Sequence, residues 1–170
     1  MPGPPHEFDT VDHPKHGKGF AYEVDGYGSH LLMDNANVPS LLALPYLGFV
    51  EATDPVYLNA RRLALSPDSP SYFSNGDSCS LSGIDSPHTG FRRVWLLSIA
   101  IQALTSTGKQ EIADAVCALT ASTSGLGLTH EHVDIDSVNG HSFAGAWKPW
   151  CNAVVGELIA RVVAEHPGLL

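Results

Sequence analysis

The chain has 170 residues, 44% of them hydrophobic, and carries 9 basic against 18 acidic side chains for a formal charge of −9. That length suits one domain or part of a larger one, and the apolar content is enough for a core, which excludes a disordered chain. An acidic balance without clustered Lys or Arg excludes nucleic acid and anionic membrane as partners, since both are bound through cationic patches.

Residues 1–19 are rich in Pro, His and Gly and are expected to be irregular. They contain no hydrophobic signal core, and no apolar run in the chain reaches membrane-spanning length, so the sequence reads as soluble with no visible address. No Asn-x-Ser/Thr sequon is present, which weighs against a secretory history. Nine histidines soften the negative charge as pH falls toward about 6. Cys79, Cys117 and Cys151 form no CxxC pair, so neither a disulfide framework nor a zinc site is expected.

Phe20 to Tyr27 is aromatic and β-prone, an extended segment ending at the Gly26/Gly28 turn. Asn37 is a candidate cap for a short helix through Ser40, Leu41, Leu42 and Leu44, ended or kinked by Pro45. Asp54 followed by Pro55 predicts a helix start, running to about Leu65. Residues 66–90 read as one long polar excursion of Ser, Pro and Gly, a length of connection that is usually functional or disordered. Arg93 to Thr107 reads as a helix apolar on most sides and therefore buried on most sides. Lys109 to Ser122 is amphipathic, with Ile112, Ala115, Val116 and Leu119 at helical spacing. A last helix spans about Trp150 to Glu165, with rows Val154/Leu158/Val162 and Val155/Ile159/Val163, closed by Pro167-Gly168. The sum is about five helices, a little extended structure near the N-terminus, and no β-α alternation.

Chemistry concentrates around His130-Glu131. The pair follows the glycine-punctuated stretch Ser124 to Thr129 and precedes the tryptophan-rich helix entry Trp147 to Asn152. A carboxylate beyond such a turn, near two indoles, suits sugar cleavage: one group activates water and flat apolar faces hold pyranose rings. Taken alone, Glu131 is also compatible with a plain surface carboxylate. The zinc template H-E-x-x-H fails here, because Asp134 stands at the second histidine position. An EF-hand loop from Asp134 fails too, with Asn139 where glycine is needed and Gly145 where glutamate is needed. Gly125-x-Gly127 lacks the third glycine of a dinucleotide loop and reads as a turn after a helix. No metal and no cofactor is therefore expected. A small helical protein holding metal through its histidines has only the failed zinc template behind it. Trp95 on the apolar helix reads as core, whereas for Trp147 and Trp150 a ligand-facing role weighs equally with packing. Asp34 and Asn37 fit turn and cap roles, and His88 fits a loop.

Six stretches, taken in order, resemble one family. They are VDHPKHGKGFAYEVDGYGSHLLMDNANVPSLLALPYLGF (11–49), SPSYFSNG (69–76), GIDSPHTG (83–90), VWLLSIAIQALTS (94–106), GLGLTHEH (125–132) and WKPWCNAVVGELI (147–159). The chain is similar, from about Thr10 to Glu165, to the C-terminal part of glycoside hydrolase family 125, the metal-independent exo-α-1,6-mannosidases. The resemblance implies an all-α, (α/α)6 toroid fold with long loops. It implies an inverting hydrolysis that removes non-reducing-end mannose from α-1,6-linked mannosides or mannan oligosaccharides. It also implies that Glu131 is the general base, with Asp34, Asn37, His88 and His130 as candidate hydroxyl contacts and Trp147 and Trp150 as platforms for the sugar ring.

Four departures accompany the match. The family's Ser-Asp-Asp block, which holds its general acid, has no counterpart in this sequence. The family's Asp-Asp-Ala-Asn reads Asp34-Asn35-Ala36-Asn37, and its Met-His-Glu-Ser reads Thr129-His130-Glu131-His132. An arginine expected before the tryptophan pair is Gly145. Twelve helices of about 12 residues, with loops of about 6, need about 216 residues. On that arithmetic the chain is expected to be roughly the C-terminal half of the ring, with 20–170 belonging to the hydrolase domain. Faces meant for absent helices would then expose apolar residues and favour self-association. Two readings follow: an incomplete mannosidase without hydrolysis on its own, or a non-catalytic remnant or mannoside-binding fragment.

Overall fold

The computed structural model describes residues 10–76, 81–137 and 142–169. Residues 1–9 of the N-terminal segment, Cys79 and Asn139 lie outside them. Among the described residues the chain forms four α-helices and nine short β-strands, and the strands pair in four small antiparallel sheets. The expected all-α, (α/α)6-type half ring is thereby overturned. The reason lies in how the strands are specified. Each is two to four residues long, too short for an alternating apolar pattern to develop. Their pairing is set by turn chemistry and glycine contacts.

The first hairpin falls where irregular chain was expected. Strand β1 (Thr10–His13) pairs with β2 (Gly17–Phe20), Val11 facing Gly19. The turn is local chemistry: His13 Nδ1 accepts the Lys15 and His16 N–H groups, both at 3.2 Å. Strand β2 then lies against helix α1 (Pro55–Ala64), where a Cβ on Gly19 would come within 3.1 Å of the Ala60 nitrogen. A second hairpin joins β3 (Glu23–Val24) and β4 (His30–Leu31). Asp25 Oδ1 closes it by accepting from Tyr27 and Ser29 N–H.

The polar excursion at 66–90 holds a third hairpin, β5 (Tyr72–Ser74) with β6 (Ser82–Ile84). The predicted long apolar helix begins three residues late, because Arg93–Trp95 is strand β7. That strand pairs with β8 (His132–Asp134), which pairs with β9 (Phe143–Ala144). Residues 37–45 form turns instead of a helix. Asp34, not Asn37, takes the free N–H groups of Leu41 and Leu42 there, at 2.9 and 2.8 Å.

The remaining helices follow the sequence closely. Asp54 caps α1 by accepting from Val56 and Tyr57 N–H, a contribution of about 1 kcal/mol. Helix α2 (Leu96–Leu104) buries every residue except Gln102. Helix α3 (Lys109–Ala121) packs Ile112, Ala115 and Leu119 into the same apolar cluster, and α4 (Pro149–Glu165) adds Cys151, Val154, Leu158 and Val162. Each large aliphatic side chain buried this way contributes roughly 1.5–3 kcal/mol. Of the two rows on α4, only Val154/Leu158/Val162 is buried, and Val163 is exposed. Arg61 ties three helices together, donating to Gln102 O and to Glu111 Oε1. Burial alone would raise the Glu111 carboxyl, but hydrogen bonds from Ser106, Gln102 and Arg61 outweigh it and hold it below its ordinary value.

Cys117 is disulfide-bonded, against the expectation drawn from cysteine spacing. An odd count without CxxC says nothing about pairing between cysteines distant in sequence. Cys151 is free and buried, and burial pushes its thiol up to about 11. Among the described residues no helix is long and apolar enough to cross a membrane.

Candidate active site

Glu131 stands at the entry to β8, held by what precedes and follows it. Beyond α3 the chain reverses through Ser124, Gly125 and Gly127, all at positive φ. Thr129 is then pinned to the start of α4, where Asn152 Oδ1 accepts its N–H at 3.1 Å and Asn152 Nδ2 donates to its carbonyl at 2.9 Å. His130 is fully buried, and its ring stacks on Phe143 with centroids 3.6 Å apart and planes 5° apart. Neither of its ring nitrogens has a hydrogen-bond partner among the described residues. Glu131 itself donates its N–H to Ala144 O at 3.1 Å. His132 follows on β8 opposite Trp95. Burial first, then the Arg93 charge, pushes its imidazole below the ordinary value.

The Glu131 side chain is partly open and reaches the helix α4 entry. Lys148 Nζ lies 2.5 Å from Oε1 and 5.8 Å from the centre of the Trp95 ring, a cation–π distance. The other oxygen, Oε2, has no hydrogen bond from the described residues. It borders Gly145: a Cβ placed on Gly145 would sit 3.8 Å from Oε2. Trp147 and Trp150 flank Lys148 in the chain and are 58% and 41% exposed. Exposed indoles at that level are available to a ligand, whereas Trp95 is buried, as expected for a core residue.

Trp95 links this region to a second set of polar groups. Its indole N–H donates to Thr89 Oγ1 at 2.9 Å, and Thr89 donates in turn to Asp85 Oδ1 at 3.3 Å. Asp85 is buried and also accepts from Ser86 and Arg93 N–H. The 34–36 segment joins the same set, with Ala36 N–H donating to Asp85 O and Ser71 Oγ to Asp34 O. Beside these residues Met33, Ser71, Phe73, Asp85, Ser86 and Phe91 line a cleft of about 240 Å³. Glu131 is not among the residues lining it.

The sequence candidates thus separate by environment. Glu131, Trp147 and Trp150 belong to the α4 entry and the loop before β8. His88 is exposed in the loop after Asp85. Asn37 is half-buried, its N–H and Nδ2 both donating to Asn35 Oδ1 at 3.2 Å. Asp34 is fully buried, and among the described residues its three donors are all backbone N–H groups, from Asn35, Leu41 and Leu42. Desolvation outweighs those donors and pushes its carboxyl up to about 6. Sequence reasoning missed Lys148, Asn152, Asp85 and Thr89. For all four a signal existed, since Lys148 and Asn152 sit in the WKPWCNAVVGELI block and Asp85 and Thr89 in the GIDSPHTG block. Among the described residues no group of three His, Cys, Asp or Glu side chains is arranged to hold a metal ion.

Carboxyl side chains carry out glycoside hydrolysis in most carbohydrate-cleaving proteins. The sequence pattern of one such family, described as metal-independent alpha-mannosidase (GH125), matches residues 6–160, and the chain belongs to that family. It is 52% identical over 160 residues to the Meiotically up-regulated gene 157 protein of Schizosaccharomyces pombe, covering 94% of this chain and 31% of that protein. A solved metal-independent alpha mannosidase from Streptococcus pneumoniae, in a non-productive substrate complex with alpha-1,6-mannobiose, superposes with a TM-score of 0.85 at 35% identity. That match covers 92% of this chain and 36% of the Streptococcus chain. The chain therefore spans about a third of the length of these relatives.

Proposed function

We propose that this chain supplies the general-base side of an inverting exo-α-1,6-mannosidase, with Glu131 as the base. The observation that carries the reading is the division of labour between the two Glu131 oxygens. Oε1 is anchored by Lys148, and among the described residues no donor is bonded to Oε2, which borders Gly145. In an inverting hydrolysis the base oxygen takes a proton from water as that water bonds to the anomeric carbon. The bond to the leaving oxygen breaks, and that oxygen takes a proton from a second carboxyl group roughly 6.5–9.5 Å away. An oxygen held in place through its twin, with no donor bonded to it among the described residues, is suited to the first half of that exchange.

The substrate class follows from the family and from the α-1,6-mannobiose in the Streptococcus structure. Trp147 and Trp150 offer apolar faces to a pyranose ring. His88 and Asn37 are the hydroxyl contacts with accessible surface. Asp34 and His130 act from beneath, Asp34 by shaping the 34–42 loop and His130 by its stack on Phe143. A second reading, mannoside binding without turnover, draws on the exposed faces of Trp147 and Trp150.

Release of mannose from α-1,6-mannobiose tests both. In the chain, or in a longer protein containing it, Glu131→Gln is expected to lower hydrolysis by about 10²–10⁴-fold while leaving the fold intact. Undiminished hydrolysis by Glu131→Gln would end the base assignment. Saturable binding of mannobiose with no mannose released by the unaltered protein would favour the second reading.

A further inference from the structure

One side chain governs how Glu131 and Lys148 meet, and it touches neither charged group. Asn152, in the first turn of α4, grips two backbone segments at once. Its Oδ1 accepts the Thr129 N–H at 3.1 Å, and its Nδ2 donates to both Thr129 O and Lys148 O at 2.9 Å. Lys148 N–H adds a further bond to Thr129 O at 3.3 Å. Thr129 lies two residues before Glu131, and Lys148 is the residue whose ammonium holds Glu131 Oε1. The amide of Asn152 thus satisfies the backbone N–H and C=O of Thr129 as a neighbouring peptide would. In doing so it fixes the separation of the two backbones from which the charged side chains project.

We propose that Asn152 is a positioning residue for the Glu131–Lys148 pair, a proposal that rests on Glu131 being the base. The remaining contacts say why this role is separable from folding. Glu131 has its own backbone bond to Ala144 O, in which the Asn152 side chain takes no part. The face of α4 that docks on the core is carried by Val154, Leu158 and Val162. Loss of the amide therefore loosens the register between Thr129 and Lys148 and leaves both supports in place. A displacement of about 1 Å between a catalytic group and its partner is enough to cost about 10²-fold in rate.

The test is a double-variant cycle read on the Glu131 carboxyl carbon by NMR, in protein carrying ¹³C-labelled glutamate. The signal is assigned by its disappearance in Glu131→Gln. Lys148→Met is expected to displace it. Asn152→Asp keeps the size of the side chain but turns its donor into an acceptor facing two carbonyl oxygens. It is expected to displace the same signal, and the double variant no further than Lys148→Met alone. Where mannose release is measurable, Asn152→Asp lowers kcat about 10²-fold with KM little changed. An unmoved signal in folded Asn152→Asp, or displacements that simply add, overturns the proposal. Asn152→Ser is judged on the same signal, and failure of both variants to fold also overturns it, by assigning Asn152 to folding. If instead Glu131→Gln hydrolyses mannobiose normally while the NMR coupling stands, the base reading fails and the positioning of the pair does not.

Discussion

Asp34 shows what one buried carboxylate does for a loop. Its three backbone donors organise residues 34–42, and its carboxyl sits at about 6, above the value of 3.8 it has when unfolded. Because the folded protein holds this proton more tightly, its contribution to stability is full below pH 3.8 and is lost as pH rises through about 6. The contribution is at most roughly 3 kcal/mol. Urea unfolding midpoints of the native protein against Asp34→Asn, measured from below pH 4 to pH 8, should differ in slope across that window. The paired comparison separates Asp34 from Glu111, whose lowered value works in the opposite direction. At this scale the sequence singled out Glu131 and the indole pair as candidates, through the resemblance and their neighbours. It marked the block that holds Lys148 and Asn152 but gave neither a role, because their partners at Glu131 and Thr129 approach only through the fold. Asp34 was visible as a residue, but its burial depends on two N–H groups seven and eight positions away.

Among the elements, helices and hairpins differ in how they are encoded. Helices α1, α3 and α4 begin and end within about two residues of their sequence signals, because caps, proline and 3.6-residue periodicity act locally. The first two hairpins carry a local code only in their turns, and none has strands long enough for a periodic one. Strand β6, Ser82-Gly83-Ile84, has no alternation to read, and its place is set by contact with α2. A Cβ on Gly83 would come within 2.8 Å of Val94 Cγ1 and 3.0 Å of Ser98 Oγ, while Ile84 N–H donates to that same hydroxyl. Gly83→Ala is therefore expected to destabilise the protein by about 1–3 kcal/mol, by overcrowding. Gly90→Ala has open space around its Cβ and is the matched control, although its positive φ of 82° adds a backbone cost of its own. A chemical-denaturation series giving no loss for Gly83→Ala would show that β6 and α2 part easily.

For the whole molecule, the core is assembled from helices distant in sequence, and their docking is what brings the α4 entry to the loop before β8. The expected all-α half ring failed at this level because a fold inferred from family resemblance describes the family, and this chain fills about a third of its relatives' length. The stretch it does fill intersperses hairpins among its helices. Cys151 reports on this assembly. Buried in the cluster, with its thiol pushed up to about 11, it is expected to resist iodoacetamide under native conditions and to react at the rate of unfolding. Peptide mapping of the alkylated product, which resolves each cysteine separately, checks this. Fast native-state labelling at Cys151 would contradict it.

That thiol is the immediate chain neighbour of Asn152. Alkylation at Cys151 therefore times the lifting of α4 from the core, the same excursion that would carry Asn152 away from Thr129. A stopwatch for losing the alignment of Glu131 is already built into the polypeptide, one peptide bond from the clasp that keeps it.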